Sequence, residues 1–235
     1  MNPYPCKLFL FDLDGTLIDS KADIIRSVNL ALGRMKFPAI ADTSIARFVG
    51  DGVQKLIQRT LRASLGAEPE SRLVTTTIQA YLGEYAEHLL DSTSLFPGIR
   101  EALNALWWAD CAVITNKPES FSRQILKFLG VASRFRIILG GDSTEKRKPD
   151  PGPLEQVMSL CDTRPSETAM VGDSHVDIRA GKAAGVITCG ILGGFGTREE
   201  LEAEGCDLIL DSASELARHF CPPGSSGQWP LITGH

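Results

Sequence analysis

Leu8-Phe9-Leu10-Phe11-Asp12-Leu13-Asp14-Gly15-Thr16 is a short apolar run that ends in two carboxylates and a turn. A run this short, continuously apolar and closed by a glycine predicts a fully buried strand. A charge at the end of such a strand costs several kcal/mol unless something pairs with it. Two carboxylates one residue apart also repel, so Asp12 and Asp14 call for a cation, a shared proton, or both. Taken alone, the stretch has a blander alternative as a strand that ends in an Asp-rich turn.

Outward from this strand the chain has two textures. From about 20 to 90 it is helical: Ile24, Ile25, Val28, Leu32 and Met35 recur at three- and four-residue spacing, which marks one apolar face. Val53, Leu56, Ile57 and Leu61 repeat the pattern after Gly50-Asp51-Gly52, and Leu73, Ile78, Leu82 and Leu89 extend it. From about 96 onward strand, loop and helix repeat. Strands are predicted at 111–114, 137–139, 169–171, 186–189 and 208–210, and helices at 119–129, 151–161 and 176–184. Strands alternating with helices imply parallel pairing and a doubly wound α/β sheet, and the first strand belongs with that group. The expected organisation is a core over 1–18, an all-helical cap over 19–93, the rest of the core over 94–221, and a loose tail over 222–235. An insert placed there leaves the sheet at the carboxyl end of a strand, where open α/β sheets bind ligands, so it is positioned to be a lid.

Composition excludes several classes. The 235 residues carry a net charge of −5, the wrong sign for a general nucleic-acid binder. No apolar stretch approaches the roughly 20 residues of a membrane helix, and no secretory signal is apparent. Six scattered cysteines with no CxxC spacing read as reduced core thiols, and the expected location is cytoplasmic. The expected assembly is a monomer or homodimer.

Polar punctuation follows the predicted strands: Thr115-Asn116-Lys117 after one, Lys146-Arg147-Lys148-Pro149-Asp150 in a later loop, and Gly172-Asp173-Ser174 with Asp177 one helical turn on. Each has a bland alternative as a helix cap, a solvated basic turn or a turn residue. A parallel sheet would gather them with Asp12 and Asp14 on one edge. Together they make a phosphoryl-transfer set. Asp12 and Asp173 offer hard oxygen ligands suited to Mg²⁺. Lys148 and a hydroxyl or amide near Thr115 can hold phosphoryl oxygens. One carboxylate of the first pair can be a nucleophile and the other an acid/base.

In this order the motifs resemble those of the haloacid dehalogenase superfamily phosphatases: Asp12-Leu13-Asp14-Gly15-Thr16 the first, Thr115 the second, Lys148 the third, and Gly172-Asp173-Ser174 with Asp177 the fourth. The resemblance implies Asp12 as the nucleophile that forms an aspartyl-phosphate and Asp14 as the acid/base. It implies phosphate binding by Thr115, Asn116 and Lys148, and Mg²⁺ held by Asp12, the Asp14 carbonyl and Asp173. Thr16, Ser174 and Asp177 would orient those groups from behind. The helical insert resembles the family's small cap, and Thr115 and Lys148 stand too close in sequence to hold the larger one. Within the superfamily, Arg47-Phe48-Val49-Gly50-Asp51-Gly52-Val53, Phe96-Pro97-Gly98, Thr115-Asn116-Lys117-Pro118 and Gly194-Phe195-Gly196 resemble phosphoglycolate phosphatases. That implies a small phosphorylated metabolite as substrate. Arg47, Gly50, Asp51 and Gly52 become candidate specificity residues: glycines around a helix start let backbone N–H groups approach an anion, and Arg47 can pair with a carboxylate.

Rival readings differ at particular residues. A dehalogenase would not need Asp14. A sugar-phosphate mutase shares both aspartates but typically has valine or alanine where this chain has Thr16. A phospho-accepting receiver module is about half as long and orders its motifs differently.

Overall fold

The computed structural model describes residues 3–224; of the expected tail, residues 225–235 lie outside the described residues. In chain order the elements are β1 (Tyr4–Pro5), β2 (Leu8–Phe11) and β3 (Ile18–Asp19), then the helices α1 (Lys21–Arg34), α2 (Asp42–Ala46), α3 (Val53–Leu65) and α4 (Ser71–Glu87). β4 (Ser94–Leu95), α5 (Ile99–Ala105), β5 (Asp110–Ile114), α6 (Glu119–Phe128), β6 (Ile137–Leu139) and α7 (Gly152–Cys161) follow. The chain continues through β7 (Thr168–Gly172), α8 (His175–Ala184), β8 (Ile187–Ile191), α9 (Arg198–Ala203), β9 (Leu208–Leu210), α10 (Leu216–His219) and β10 (Phe220–Cys221).

Six strands form one parallel sheet in the order β6-β5-β2-β7-β8-β9. β2 sits in the middle, and its unbroken apolar run is explained by burial on both faces. Phe9 and Phe11 pack into the core on one side of the sheet, while Leu8 and Leu10 join Ala112, Met170 and Leu154 on the other. After β2 the chain builds outward through β5 and β6, then returns to lay β7 on the opposite side of β2. Ligands of open α/β sheets bind at such a switch point. Register fixes what meets there: Phe11 lies opposite Val113 and Val171, so Asp12 and the residues just after β5 and β7 share one edge.

The four helices between β3 and β4 stand over that edge. α1 buries Ile24, Val28 and Leu32, and α4 buries Val74, Thr77, Tyr81, Glu84 and Tyr85. The buried stripe of α4 is therefore not the leucine pattern read from sequence; Leu73, Ile78 and Leu82 are only partly buried. Met35 falls just past the end of α1. Tyr81 and Tyr85 stack at 5.5 Å, and Tyr85 meets Phe121 of α6 edge-on at 5.4 Å, a direct contact between helical layer and sheet layer. Both crossings of the chain lie side by side, because β3 pairs antiparallel with β4. Buried Asp23 reinforces the junction: its Oδ2 accepts the Ser92 and Thr93 N–H groups at 3.0 and 2.8 Å and the Thr93 hydroxyl at 2.7 Å.

Candidate active site

The turn after β2 winds on the Leu13 carbonyl, which accepts the N–H groups of Thr16, Leu17 and Ile18. Gly15 is required there. Its φ is +92°, and a Cβ would stand 2.3 Å from Asp173 Oδ2. This close packing lets Thr16 donate from its hydroxyl to Asp173 Oδ1 at 2.8 Å. The Phe195 N–H donates to Asp173 Oδ2 at 2.7 Å, so the Gly194-Phe195-Gly196 stretch closes behind the same carboxylate.

Lys148 is 3% exposed and lies between two carboxylates, donating to Asp12 Oδ1 at 2.8 Å and Asp177 Oδ1 at 2.7 Å. Burial alone would lower its pKa; the Asp12 and Asp177 charges outweigh that and hold it above the ordinary lysine value. Ser174 caps α8 through Asp177 Oδ2, donating from both its N–H and its hydroxyl. Burial pushes Asp12 up to about 8 against the pull of Lys148, with Asp177 and Asp173 adding to the rise. Asp173 is pushed up to about 6 by burial and by Asp177, against the N–H and hydroxyl donors it accepts. These shifts express a charge imbalance, three buried carboxylates against one ammonium.

That imbalance fits a divalent cation. One oxygen from each of Asp12, Asp173 and Asp177 lies within 4.8 Å of the others, an all-oxygen donor set of the hard kind that Mg²⁺ prefers. Asp177 also accepts from Lys148 and Ser174.

Above this floor is a cavity of about 50 Å³, lined by Asp12, Asp14, Thr115, Asn116 and Lys117 below and by Gly50, Gly52 and apolar side chains above. The apolar part is Ile24, Val49, Val53, Leu56, Tyr81, Leu82, Tyr85 and Phe121 with Pro118. Thr115 Oγ1 accepts the Lys117 N–H at 3.2 Å, so its own hydroxyl proton remains to donate. The Asn116 amide is committed: Nδ2 donates to the Gly50 carbonyl at 3.0 Å and the Lys148 carbonyl at 2.9 Å. Its side chain thus ties the cap loop to the Lys148 loop.

The cap-loop candidates separate. Gly50 and Gly52 line the cavity, while Asp51 pairs with Arg59 at 2.5 Å and Arg47 is exposed and outside the lining. Expecting Arg47 to meet a substrate carboxylate is therefore not supported by its position; it lies beyond the short helix α2, turned to solvent. Sequence reasoning missed Lys117, Tyr81 and Tyr85. Lys117 was in view within Thr115-Asn116-Lys117-Pro118, and the two tyrosines stand four apart, one helical turn, on α4.

The sequence pattern of haloacid dehalogenase-like hydrolases matches residues 9–191. The chain belongs to that family. A phosphoglycolate phosphatase of Nitrosospira multiformis is 33% identical over 92% of this chain and 96% of its own length. One from Pseudomonas putida is 36% identical over 93% and 81%. The crystal structure of a predicted phosphoglycolate phosphatase from Haemophilus somnus superposes with a TM-score of 0.85 at 29% identity, covering 91% of this chain and 97% of that one. As a member of the haloacid dehalogenase-like hydrolases with these relatives, the chain is a phosphoric monoester hydrolase. Family members generally use a divalent metal, and the Asp12, Asp173 and Asp177 cluster suits one. No described helix is long and apolar enough to cross a membrane.

Proposed function

We propose that the chain is a Mg²⁺-dependent phosphatase for a short anionic phosphate ester, 2-phosphoglycolate first, acting through an aspartyl-phosphate on Asp12. The observation that carries this reading is the shared cavity of Asp12, Asp14 and Thr115 beneath a largely apolar roof. Asp12 attacks phosphorus while Asp14 gives a proton to the departing ester oxygen. Asp14 then takes a proton from the water that attacks the aspartyl-phosphate, and the Asp12 carboxylate is restored as phosphate leaves. Lys148 spends two of its three donors on Asp12 and Asp177, so one remains for a phosphoryl oxygen. The Thr115 hydroxyl supplies another donor. Asp12, the Asp14 carbonyl and Asp173 would hold Mg²⁺, which supplies charge neutralisation at the phosphoryl oxygens.

The roof offers few partners to a sugar's hydroxyls, which supports a short substrate over a hexose phosphate or a mutase reaction. The described cysteines are unpaired, in keeping with a reducing, cytoplasmic setting. The test is phosphate release with Mg²⁺ from 2-phosphoglycolate, glucose 1-phosphate, nucleoside monophosphates, pyrophosphate and a phosphoprotein. The expected order puts 2-phosphoglycolate first and the phosphoprotein last. A phosphoprotein hydrolysed faster than the small esters would overturn the reading.

A further inference from the structure

Asp14 is gripped more completely than any simple cap requires. Lys117 Nζ donates to its two oxygens at 2.9 and 3.1 Å, and the Ser20 hydroxyl donates to Oδ1 as well. The third donor of Lys117 goes to the Tyr85 hydroxyl, with the ammonium 4.4 Å from the Tyr85 ring centre. Lys117 is 7% exposed and is the sole cation lining the cavity. The two buried lysines therefore have different duties. Lys148 keeps a donor for the phosphoryl group; all three donors of Lys117 are spent on an aspartate of the core and a tyrosine of the cap.

We propose that Lys117 is a positioning residue. It fixes the plane of the Asp14 carboxylate against the ester oxygen, and through Tyr85 it makes that orientation depend on the seated cap. The inference rests on the acid/base role proposed for Asp14. An aspartate side chain in a turn has two free torsions, and proton transfer requires the carboxyl within hydrogen-bond reach of the leaving oxygen. A two-point contact from one ammonium removes that freedom, at a cost in geometry too small to see but large in rate when lost. Asn116, the preceding residue, bonds the Gly50 carbonyl of the cap loop. Three consecutive residues after β5 thus carry a phosphate donor, a tether to the cap loop and a tether joining the acid to α4. The proton that leaves with the alcohol comes from Asp14, and the one that replaces it comes from water.

The experiment exploits leaving groups. Ethyl phosphate and 2-phosphoglycolate both expel an alkoxide that needs a proton, whereas acetyl phosphate, of similar size, expels a carboxylate that needs none. Lys117→Met should lower kcat/KM, which reports only the steps up to phosphorylation of Asp12, on both alkyl esters by about 10²-fold, the scale of a general-acid contribution, and the loss on acetyl phosphate should be at least about tenfold smaller. Tyr85→Phe, which removes one oxygen and keeps the ring, should show the same ranking with a smaller loss, and Lys117→Arg should recover part of it. Should Lys117→Met fail to fold by thermal melt, Tyr85→Phe alone decides the matter by its ranking. Equal loss on all three esters, or loss confined to 2-phosphoglycolate, would overturn the proposal; the second outcome would make Lys117 a ligand of the substrate's carboxylate. A wild-type protein inactive on every ester would instead strike the reading on which the proposal rests.

Discussion

The floor of the cavity and its roof are held in shape by different forces. On the floor, each side chain is fixed by charge-assisted hydrogen bonds: Lys148 between Asp12 and Asp177, Asp173 between Thr16 and the Phe195 N–H, and Asp177 against Ser174. Such bonds are directional and short, and they leave a reacting group little play. The roof is built from Ile24, Val49, Val53, Leu56 and Leu82, whose contacts are non-directional and tolerant of exchange among similar volumes. Chemistry is thus specified below by geometry, and selection above by shape and the lack of polar partners. Lys117, Asn116 and the tyrosine pair are among the groups that join the two halves.

The comparison can be broken most forcefully from the floor. Asp12→Asn should lower kcat by at least about 10³-fold, because an amide oxygen cannot replace the carboxylate nucleophile. Phosphate release under single-turnover conditions measures it, and a near-wild-type rate would sink the assignment. Lys148→Ala should cost about 10²-fold or more in kcat, as for loss of an electrostatic donor. An effect on KM alone would make Lys148 peripheral.

A third expectation concerns the charge imbalance. Asp12 and Asp173 are pushed up to about 8 and about 6 from an ordinary 3.8. Without metal, the folded state therefore binds more protons than the unfolded state across that window. The site's contribution to stability is present below 3.8 and is lost as pH rises through about 6 and then about 8,. Saturating Mg²⁺ should offset this loss, so its upward shift of Tm should be larger at pH 8 than at pH 5.5 by at least about 3 °C. Equal shifts at both pH values would place the cation elsewhere.

The smallest effect belongs to the roof's outer side. Arg47→Ala should change kcat/KM for 2-phosphoglycolate by less than about twofold, since surface substitutions away from a site have small effects. A tenfold or greater loss would mean that the working cap brings Arg47 into the cavity.

Much of the floor was legible in the sequence because Asp12, Thr115 and Asp173 directly follow strands and Ser174 and Asp177 open a helix, where a polar residue interrupts an apolar run. The strands at 137–139 and 208–210 match β6 and β9 end to end. β8 was expected to stop before Gly190 but runs on to Ile191. That glycine is a packing residue and no terminator, for a Cβ there would stand 2.7 Å from Leu201 Cδ1. The roof was less legible. An apolar pattern cannot register buried polar members of a stripe, and α4 buries Thr77 and Glu84, the latter paired with Arg34. Nor does a lysine among strand-end polar residues announce that it will be buried. Lys117 became visible only when Tyr85 of α4 was laid beside the loop after β5, a contact between segments with no shared local signal.

Asp23 and the short β3–β4 ribbon bear on how such a chain can change over time. The helical segment enters and leaves through one doorway, with both jambs bonded to each other. Residues 24–91 take no part in the ladder from β6 to β9, so the segment between the jambs can change in length while that ladder keeps every one of its pairings. A lineage that keeps the doorway inherits the carboxylates and lysine of the sheet edge and rewrites what they are allowed to see.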